Sequence, residues 1–285
     1  MGSLFCAQLA ALAHQVTAID LQQKSNISSG NIRYIRSDVC ALNKEAMNTL
    51  ATADLVIAAL PETAMMTAWQ EIMANQKESS LFVDTLSVKT PFINTISQSK
   101  RPSEIISINP MFAPSLGFSG QSAAVIEIRR GPIADTFLAL LESWGCRPVF
   151  LTAEEHDRYT AILQTLTHAA ILAFGMALQK FNYDLEKLES IMPPPHRTLL
   201  ALVARILSAD PVVYWDIQVS NPYAADARRA LESSAQELTK LIENQDQRGF
   251  EKSLASLARL FDAKQLEKFQ QVCSKIFGHF SPAKK

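Results

Sequence analysis

Apolar positions in the first half of the chain fall in short, nearly continuous runs separated by polar turn residues. Asp54-Leu55-Val56-Ile57-Ala58-Ala59-Leu60 is apolar almost throughout and closes on Pro61. A strand buried on both faces of a parallel sheet has this composition. Leu81-Phe82-Val83-Asp84, Ile105 to Ile108 and Ala123 to Ile128 repeat it. Gln15-Val16-Thr17-Ala18-Ile19-Asp20 and Ile32 to Ile35 predict two earlier strands. Helices fit at 3–13, 45–52, 64–76, 91–99 and 133–144. This alternation predicts an α/β domain over 1–152, built on a doubly wound parallel sheet.

After about residue 152 the strand pattern stops. Residues 153–181 support one long helix with periodic apolar positions. Met192-Pro193-Pro194-Pro195 reads as a linker between helices, and further helices fit 197–208, 211–219, 222–247 and 248–277. The second domain, 153–285, is therefore expected to be all-helical. Ala161 to Leu178 is apolar enough to suggest a membrane span, but Gln164, Thr165, Thr167 and His168 interrupt it. A buried helix of a helical domain is the favoured reading.

Composition sharpens this picture little. Of 285 residues, 48% are hydrophobic and 19% charged, which describes a soluble globular protein with a substantial core. A net charge of -1 gives no electrostatic reason to expect nucleic acid, and Lys284-Lys285 is too short a basic tail to change that. Cys6, Cys40, Cys146 and Cys273 form no C-x-x-C pair, the usage of a reduced, cytoplasmic chain. Met1 to Val16 lacks the basic start of a signal peptide. Met1-Gly2 hints at myristoylation, yet Cys6 occupies the position where Ser or Thr is wanted. No metal site is expected.

Two places carry candidate chemistry. Gly2 opens a helix, and Asp20 ends a strand 18 residues later. A dinucleotide fold has a glycine-rich turn into a helix, with an acid about 20 residues on that holds the adenine ribose. Gly2 fits the third glycine of that turn, which puts the first two glycines and the first strand ahead of Met1. Gly2, Asp20 and Pro61 are the candidate cofactor-binding residues. Asp20, with no basic neighbour in sequence before Lys24, favours NAD, NADP being the alternative. The second place is Asn109-Pro110-Met111-Phe112-Ala113-Pro114. A proline stops the strand there and leaves one polar side chain at its carboxyl end, where α/β enzymes bind ligands.

That second motif resembles the His-Pro-Met-Phe-Gly-Pro element of the prephenate dehydrogenase family, with Asn109 at the family's catalytic histidine. Asp84-Thr85-Leu86-Ser87-Val88-Lys89 resembles the family's Asp-x-x-Ser-Val-Lys turn. Glu155-His156-Asp157 is similar to the Glu-His-Asp that opens its long helix, and Arg205-Ile206-Leu207-Ser208-Ala209-Asp210-Pro211 continues the match. The resemblance implies a Rossmann-like domain lacking its first strand, a helical dimerisation domain, and a site between them. It implies NAD(P)-dependent oxidative decarboxylation of a cyclohexadienyl substrate in aromatic amino acid biosynthesis, by a homodimer.

By the same resemblance Asn109, Ser87 and His168 are candidate catalytic residues, and Arg205, Arg197 and Lys89 candidate substrate contacts. Each has a plainer alternative. Arg205 would clamp a substrate carboxylate or sit in an internal salt bridge. Arg197 would be a second anion contact or a surface residue, and His168 a site residue or a hydrogen-bonded core histidine. Ser87 and Lys89 would meet substrate and cofactor, or cap a turn and carry a solvated charge. Glu155, His156 and Asp157 would begin and cap a helix, the better reading for the last two.

Asn109 decides the substrate. An amide is no general base near neutral pH, but its carbonyl accepts and its NH2 donates hydrogen bonds. Three readings stay open. Prephenate is oxidised by a weakened site. The substrate is 4-amino-4-deoxyprephenate, whose C4 nitrogen stabilises hydride departure with less help from a base. Or the chain is a non-catalytic binding or scaffolding paralogue.

Overall fold

The computed structural model describes residues 1–22 and 32–280. Lys24, Lys284 and Lys285 lie outside the described residues. Helix α1 (Gly2–Ala11) precedes β1 (Val16–Asp20) and β2 (Ile32–Arg36), a parallel pair. A second sheet holds β3 (Leu55–Ala58), β4 (Leu81–Asp84), β5 (Glu104–Pro110), β6 (Ser122–Arg129) and β7 (Arg147–Phe150), side by side in that order. Helices α2 (Lys44–Leu50), α3 (Glu62–Asn75), α4 (Thr90–Ile96) and α5 (Pro132–Ser143) lie between strands in the chain. The single doubly wound sheet expected from the sequence thus occurs as two sheets, since β1 and β3 do not pair with each other.

The apolar runs become strands because both faces of the larger sheet are covered. Every residue of β4 is buried. Phe82 packs with Ile72, Met73, Phe92 and Ile96, while its neighbours Leu81 and Val83 pack with Phe5, Phe137 and Leu141. Alternate residues of one strand therefore fill two cores, each buried side chain stabilising by about 1.5–3 kcal/mol.

Two features of this sheet differ from expectation. Strand β6 runs antiparallel to β5 while the other neighbours run parallel. The connection between them holds only one short 3-10 turn, Pro114–Leu116. A parallel return needs a longer crossover, usually through a helix. Strand β7 gave no sequence signal because it is an edge strand, mostly exposed and interrupted by Pro148.

The chain then becomes helical. A helix runs from Ala153 to Leu178, made of α6 (Ala153–Thr160), a π-helical stretch Ala161–Leu166 and α7 (Thr167–Leu178). It is followed by α8 (Leu185–Ile191), α9 (Pro194–Leu207), α10 (Pro211–Val219), α11 (Ala224–Glu243), α12 (Gln247–Ala258) and α13 (Ala263–Gly278). By packing, one unit holds Met1–Thr160 and Val219–Pro222, and the other holds Ala161–Gln218 and the described residues from Tyr223.

Four readings of this half need correction. The expected linker is shorter than the triple proline: Met192 and Pro193 connect α8 to α9, and Pro194 and Pro195 are already the first helical residues of α9. Proline suits that place because the first helical N–H groups have no intrahelical partner. Helix α8 was not expected; Asp184 caps it by accepting from Glu186 and Lys187 N–H. The single helix expected over 248–277 is two, because Asp262 and Gln265 form a reciprocal capping box that starts α13 afresh. The long helix is not buried within the chain. It is long and apolar enough to cross a membrane, yet only 17% of its most apolar window is covered. Ile162, Leu163 and Met176 are exposed on it, as are Leu207, Trp215, Leu257 and Phe269 on other helices.

Candidate functional site

Asn109 lies near the end of β5, opposite Ala124 of β6, and is buried. Its Nδ2 is 3.0 Å from His156 Nε2. His156 Nδ1 is 2.8 Å from Asp157 Oδ1, and both residues are fully buried. Asp157 Oδ1 also accepts from Lys89 N–H at 2.8 Å, and its Oδ2 from Thr90 N–H at 2.8 Å. The carboxylate thereby caps the start of α4. Helix α6 itself is capped by others, Thr152 and Glu155, through reciprocal hydrogen bonds. Reading His156 and Asp157 as helix caps is thus corrected: they join β5, the turn after β4 and α6 into one buried network. Asn221 braces this end of α6 by donating to Asp157 O at 2.8 Å.

The donors and acceptors in this network can be assigned from one end. Backbone N–H groups of Lys89 and Thr90 can only donate, so the Asp157 oxygens accept. Burial works to raise the Asp157 carboxyl, but hydrogen bonds from His156, Thr90 and Lys89 outweigh it and hold the group below the usual carboxylate range. An ionised carboxylate only accepts, so His156 Nδ1 carries a proton and donates. Burial pushes the imidazole below its ordinary value, the Lys89 charge adds to this, and Asp157 and Asp84 oppose it. With Nδ1 donating to Asp157, a bare Nε2 is the acceptor that the Asn109 Nδ2 contact at 3.0 Å requires. The NH2 of Asn109 therefore faces His156. Its Oδ1 makes no hydrogen bond among the described residues.

The sign of the His156 shift predicts a stability profile. Stability is full above the free imidazole value of 6.5 and is lost as pH falls from there toward the lower folded value, because the unfolded chain takes up the proton first. His168, lowered by burial and by Arg205, adds a slope of the same sign. The melting temperature should fall between about pH 7 and about pH 5. His156→Phe should flatten that slope; equal slopes for both chains would contradict the assignment.

Lys89 is corrected from a solvated charge to a buried one. Its ammonium donates to Asp84 Oδ1 at 3.0 Å and to Ile108 O at 2.8 Å, with both side chains of the ion pair fully buried. It ties the ends of β4 and β5 together rather than reaching outward for substrate. Ser87 is half-buried in the same turn. Its N–H donates to Glu62 Oε1 at 3.1 Å, and its hydroxyl makes no hydrogen bond among the described residues.

The nucleotide-side candidates are also in this unit. A Cβ on Gly2 would lie 3.4 Å from Ala59 Cβ, an ordinary van der Waals contact, so packing does not require glycine at this position. Asp20 is exposed at the end of β1, where Gln22 N–H donates to its Oδ1 at 2.9 Å. Pro61 follows β3 as the N-cap of α3. An exposed acid at a strand end and a glycine-opened helix fit the ribose and pyrophosphate of a dinucleotide. Sequence distance hid one neighbour: Arg36 of β2 is in register with Asp20.

The helical unit carries the remaining candidates. The His168 ring lies edge-on to Tyr214, centroids 4.9 Å apart, and His168 Nδ1 is buried without a partner among the described residues. Arg205 is exposed on α9 and forms no ion pair among the described residues, so the internal salt bridge is not there. The Arg197 guanidinium lies over the Phe280 ring at 5.6 Å. Sequence reasoning missed Tyr214, for which only its place in an apolar helix was visible.

Comparison with known proteins bears on both halves. Residues 152–256 match the family model described as prephenate dehydrogenase, dimerization domain. The 4-amino-4-deoxyprephenate dehydrogenase of Streptomyces pristinaespiralis is 34% identical over 277 residues, covering 97% of this chain and 93% of that protein. The T-protein of Enterobacter agglomerans is 31% identical over 182 residues, covering 62% of this chain but only 47% of that longer protein. The prephenate dehydrogenase of A. aeolicus, solved with hydroxyphenyl propionate and NAD+, shares the fold at a TM-score of 0.70 and 17% identity. That superposition covers 90% of this chain and 92% of the other.

Proposed function

The chain belongs to the prephenate dehydrogenase family, and we propose that it oxidises a family substrate bearing an amine on ring C4, 4-amino-4-deoxyprephenate. The observation that carries this reading is the amide of Asn109 at the place of the family's base: its NH2 is taken by His156, and its carbonyl makes no hydrogen bond among the described residues. The carbonyl accepts from a C4 amine or a C4 hydroxyl alike, but an amide takes up no proton, and only the amine can do without a base. The similarity to a Streptomyces enzyme named for this substrate supports the same choice.

The chemistry explains why an amide suffices. Loss of hydride from C4 and of the ring carboxylate as CO2 leaves an aromatic ring. With an amine at C4, the nitrogen lone pair carries the positive charge as an iminium, and loss of CO2 neutralises it. With a hydroxyl, the same step leaves a far less stable protonated carbonyl, which a base must relieve; removing such a base typically costs 10²–10⁴ in rate. Asn109 orients the amine by accepting its N–H, which leaves the lone pair directed at the ring. Arg205, exposed and without an ion pair, is the contact for a substrate carboxylate. Arg197, held against Phe280, is kept as a second anion contact, and His168 with Tyr214 and Ser87 as lining residues.

Bound nicotinamide dinucleotide would supply the hydride acceptor. Gly2 and the α1 N-terminus would hold its pyrophosphate, with Asp20 on the adenine ribose hydroxyls and Pro61 beside them. The Asp20 carboxylate favours NAD, and Arg36, in register beside it, is the residue that would accommodate the extra phosphate of NADP. A second copy of the chain would cover the exposed apolar helix faces, giving a homodimer in the cytoplasm.

The product of the natural gene should reduce NAD with 4-amino-4-deoxyprephenate, releasing one CO2 per reduced cofactor. Comparable turnover of prephenate would sink the amine reading, and turnover of neither would sink the enzyme.

A further inference from the structure

Neither His156 nor Asp157 needs to touch substrate for the network to matter. Asn109 could turn its amide either way at no cost in shape, since oxygen and NH2 are nearly the same size. One orientation offers the substrate an acceptor and the other a donor. What removes the choice is a chain of contacts across three segments. Lys89 N–H and Thr90 N–H fix Asp157 as acceptor, Asp157 fixes the proton on His156 Nδ1, and the bare Nε2 fixes the NH2 of Asn109 inward.

We propose that His156 and Asp157 are positioning residues that hold the Asn109 carbonyl toward the substrate as a fixed acceptor for the donor on the reacting carbon. The inference rests on the amine-substrate reading for its biological meaning, but the relay itself is a property of the fold. An apolar group in place of His156 would leave the Asn109 NH2 without its acceptor, and the amide would become free to turn. The site would then lose its fixed acceptor for the C4 substituent, amine or hydroxyl. Asp157 is placed to keep the tautomer: its carboxylate is fully buried and uses both oxygens. The charged groups facing the imidazole are Asp157, Lys89 and Asp84, and they remain inside the network.

Two measurements on the full chain test this. The first is the ¹⁵N spectrum of imidazole-labelled protein, which separates a protonated from a bare ring nitrogen. The relay requires a proton on His156 Nδ1 and none on Nε2 at neutral pH; a protonated Nε2 would overturn it, whichever substrate the enzyme takes. The second is a double-mutant cycle on kcat/KM for whichever of 4-amino-4-deoxyprephenate and prephenate the wild type turns over. His156→Phe should lower kcat/KM about tenfold with Asn109 present, the worth of one oriented hydrogen bond, and leave it unchanged on top of Asn109→Ala, because the relay acts only through that amide. Equal losses in both backgrounds would overturn the relay. A wild type that prefers prephenate removes the substrate reading and leaves the cycle and the tautomer to decide the relay. Should His156→Phe fail to fold, the spectrum of the unaltered chain still decides.

Discussion

Lys89→Met should be the most destabilising single change in the sheet unit. The substitution nearly keeps the side-chain volume but removes the ammonium that Asp84 Oδ1 and Ile108 O both use. Asp84 would keep only the Leu86 N–H at 3.1 Å, and its Oδ2 already lacks a partner. An uncompensated buried charge typically costs about 3–5 kcal/mol. At roughly 2–4 °C per kcal/mol for a domain of this size class, the melting temperature should drop by ~6–20 °C. Because the cost is the orphaned carboxylate rather than the lost attraction, adding Asp84→Asn should recover much of it. The double variant keeps an acceptor for Leu86 N–H and buries no charge. A double variant as unstable as Lys89→Met would mean that the ion pair itself supplies the stability.

Asn109→His should have the largest effect on substrate choice. It restores an imidazole at the position where the family has its catalytic histidine, and His156 Nε2 remains able to accept from a ring N–H. The variant gains a base for the hydroxyl substrate and loses the rigid carbonyl for the amine. Turnover of prephenate should rise by roughly 10²-fold or more, within the usual worth of a general base, while kcat/KM for 4-amino-4-deoxyprephenate falls. A variant whose two activities change in parallel would separate Asn109 from recognition of the C4 group.

Much of this architecture was legible because burial writes itself into apolar runs. Strands β3, β4 and β5 are covered on both faces, so their composition alone betrays them. Strand β7 pays no such tribute: half in water at a sheet edge, it reads as loop. The break between α12 and α13 carried a local signal, Asp262 three residues before Gln265, but the continuing apolar period overrode it.

The candidate site was legible in a different and more partial way. Asn109 stood out because a proline follows a buried run, and the family resemblance gave it an address. Its partner did not stand out. His156 is distant in sequence, and nothing in Glu155-His156-Asp157 distinguishes a helix start from a buried relay. Lys89 had the same difficulty, since a lone lysine in a turn is ordinarily solvated. Only tertiary structure brings the Asp84 carboxylate and the Ile108 carbonyl to its ammonium. Pairwise polar contacts of this kind depend on which segments meet, and one-dimensional pattern does not carry that.

The central claim is that Asn109, an acceptor but no base, suits a C4 amine, which can do without a base, over a C4 hydroxyl, which cannot. A competition measures it most directly. Equal amounts of 4-amino-4-deoxyprephenate and prephenate, given together with NAD to the natural gene product, should yield 4-aminophenylpyruvate in large excess over 4-hydroxyphenylpyruvate by mass spectrometry. Equal yields, or an excess of the hydroxylated product, would contradict the account.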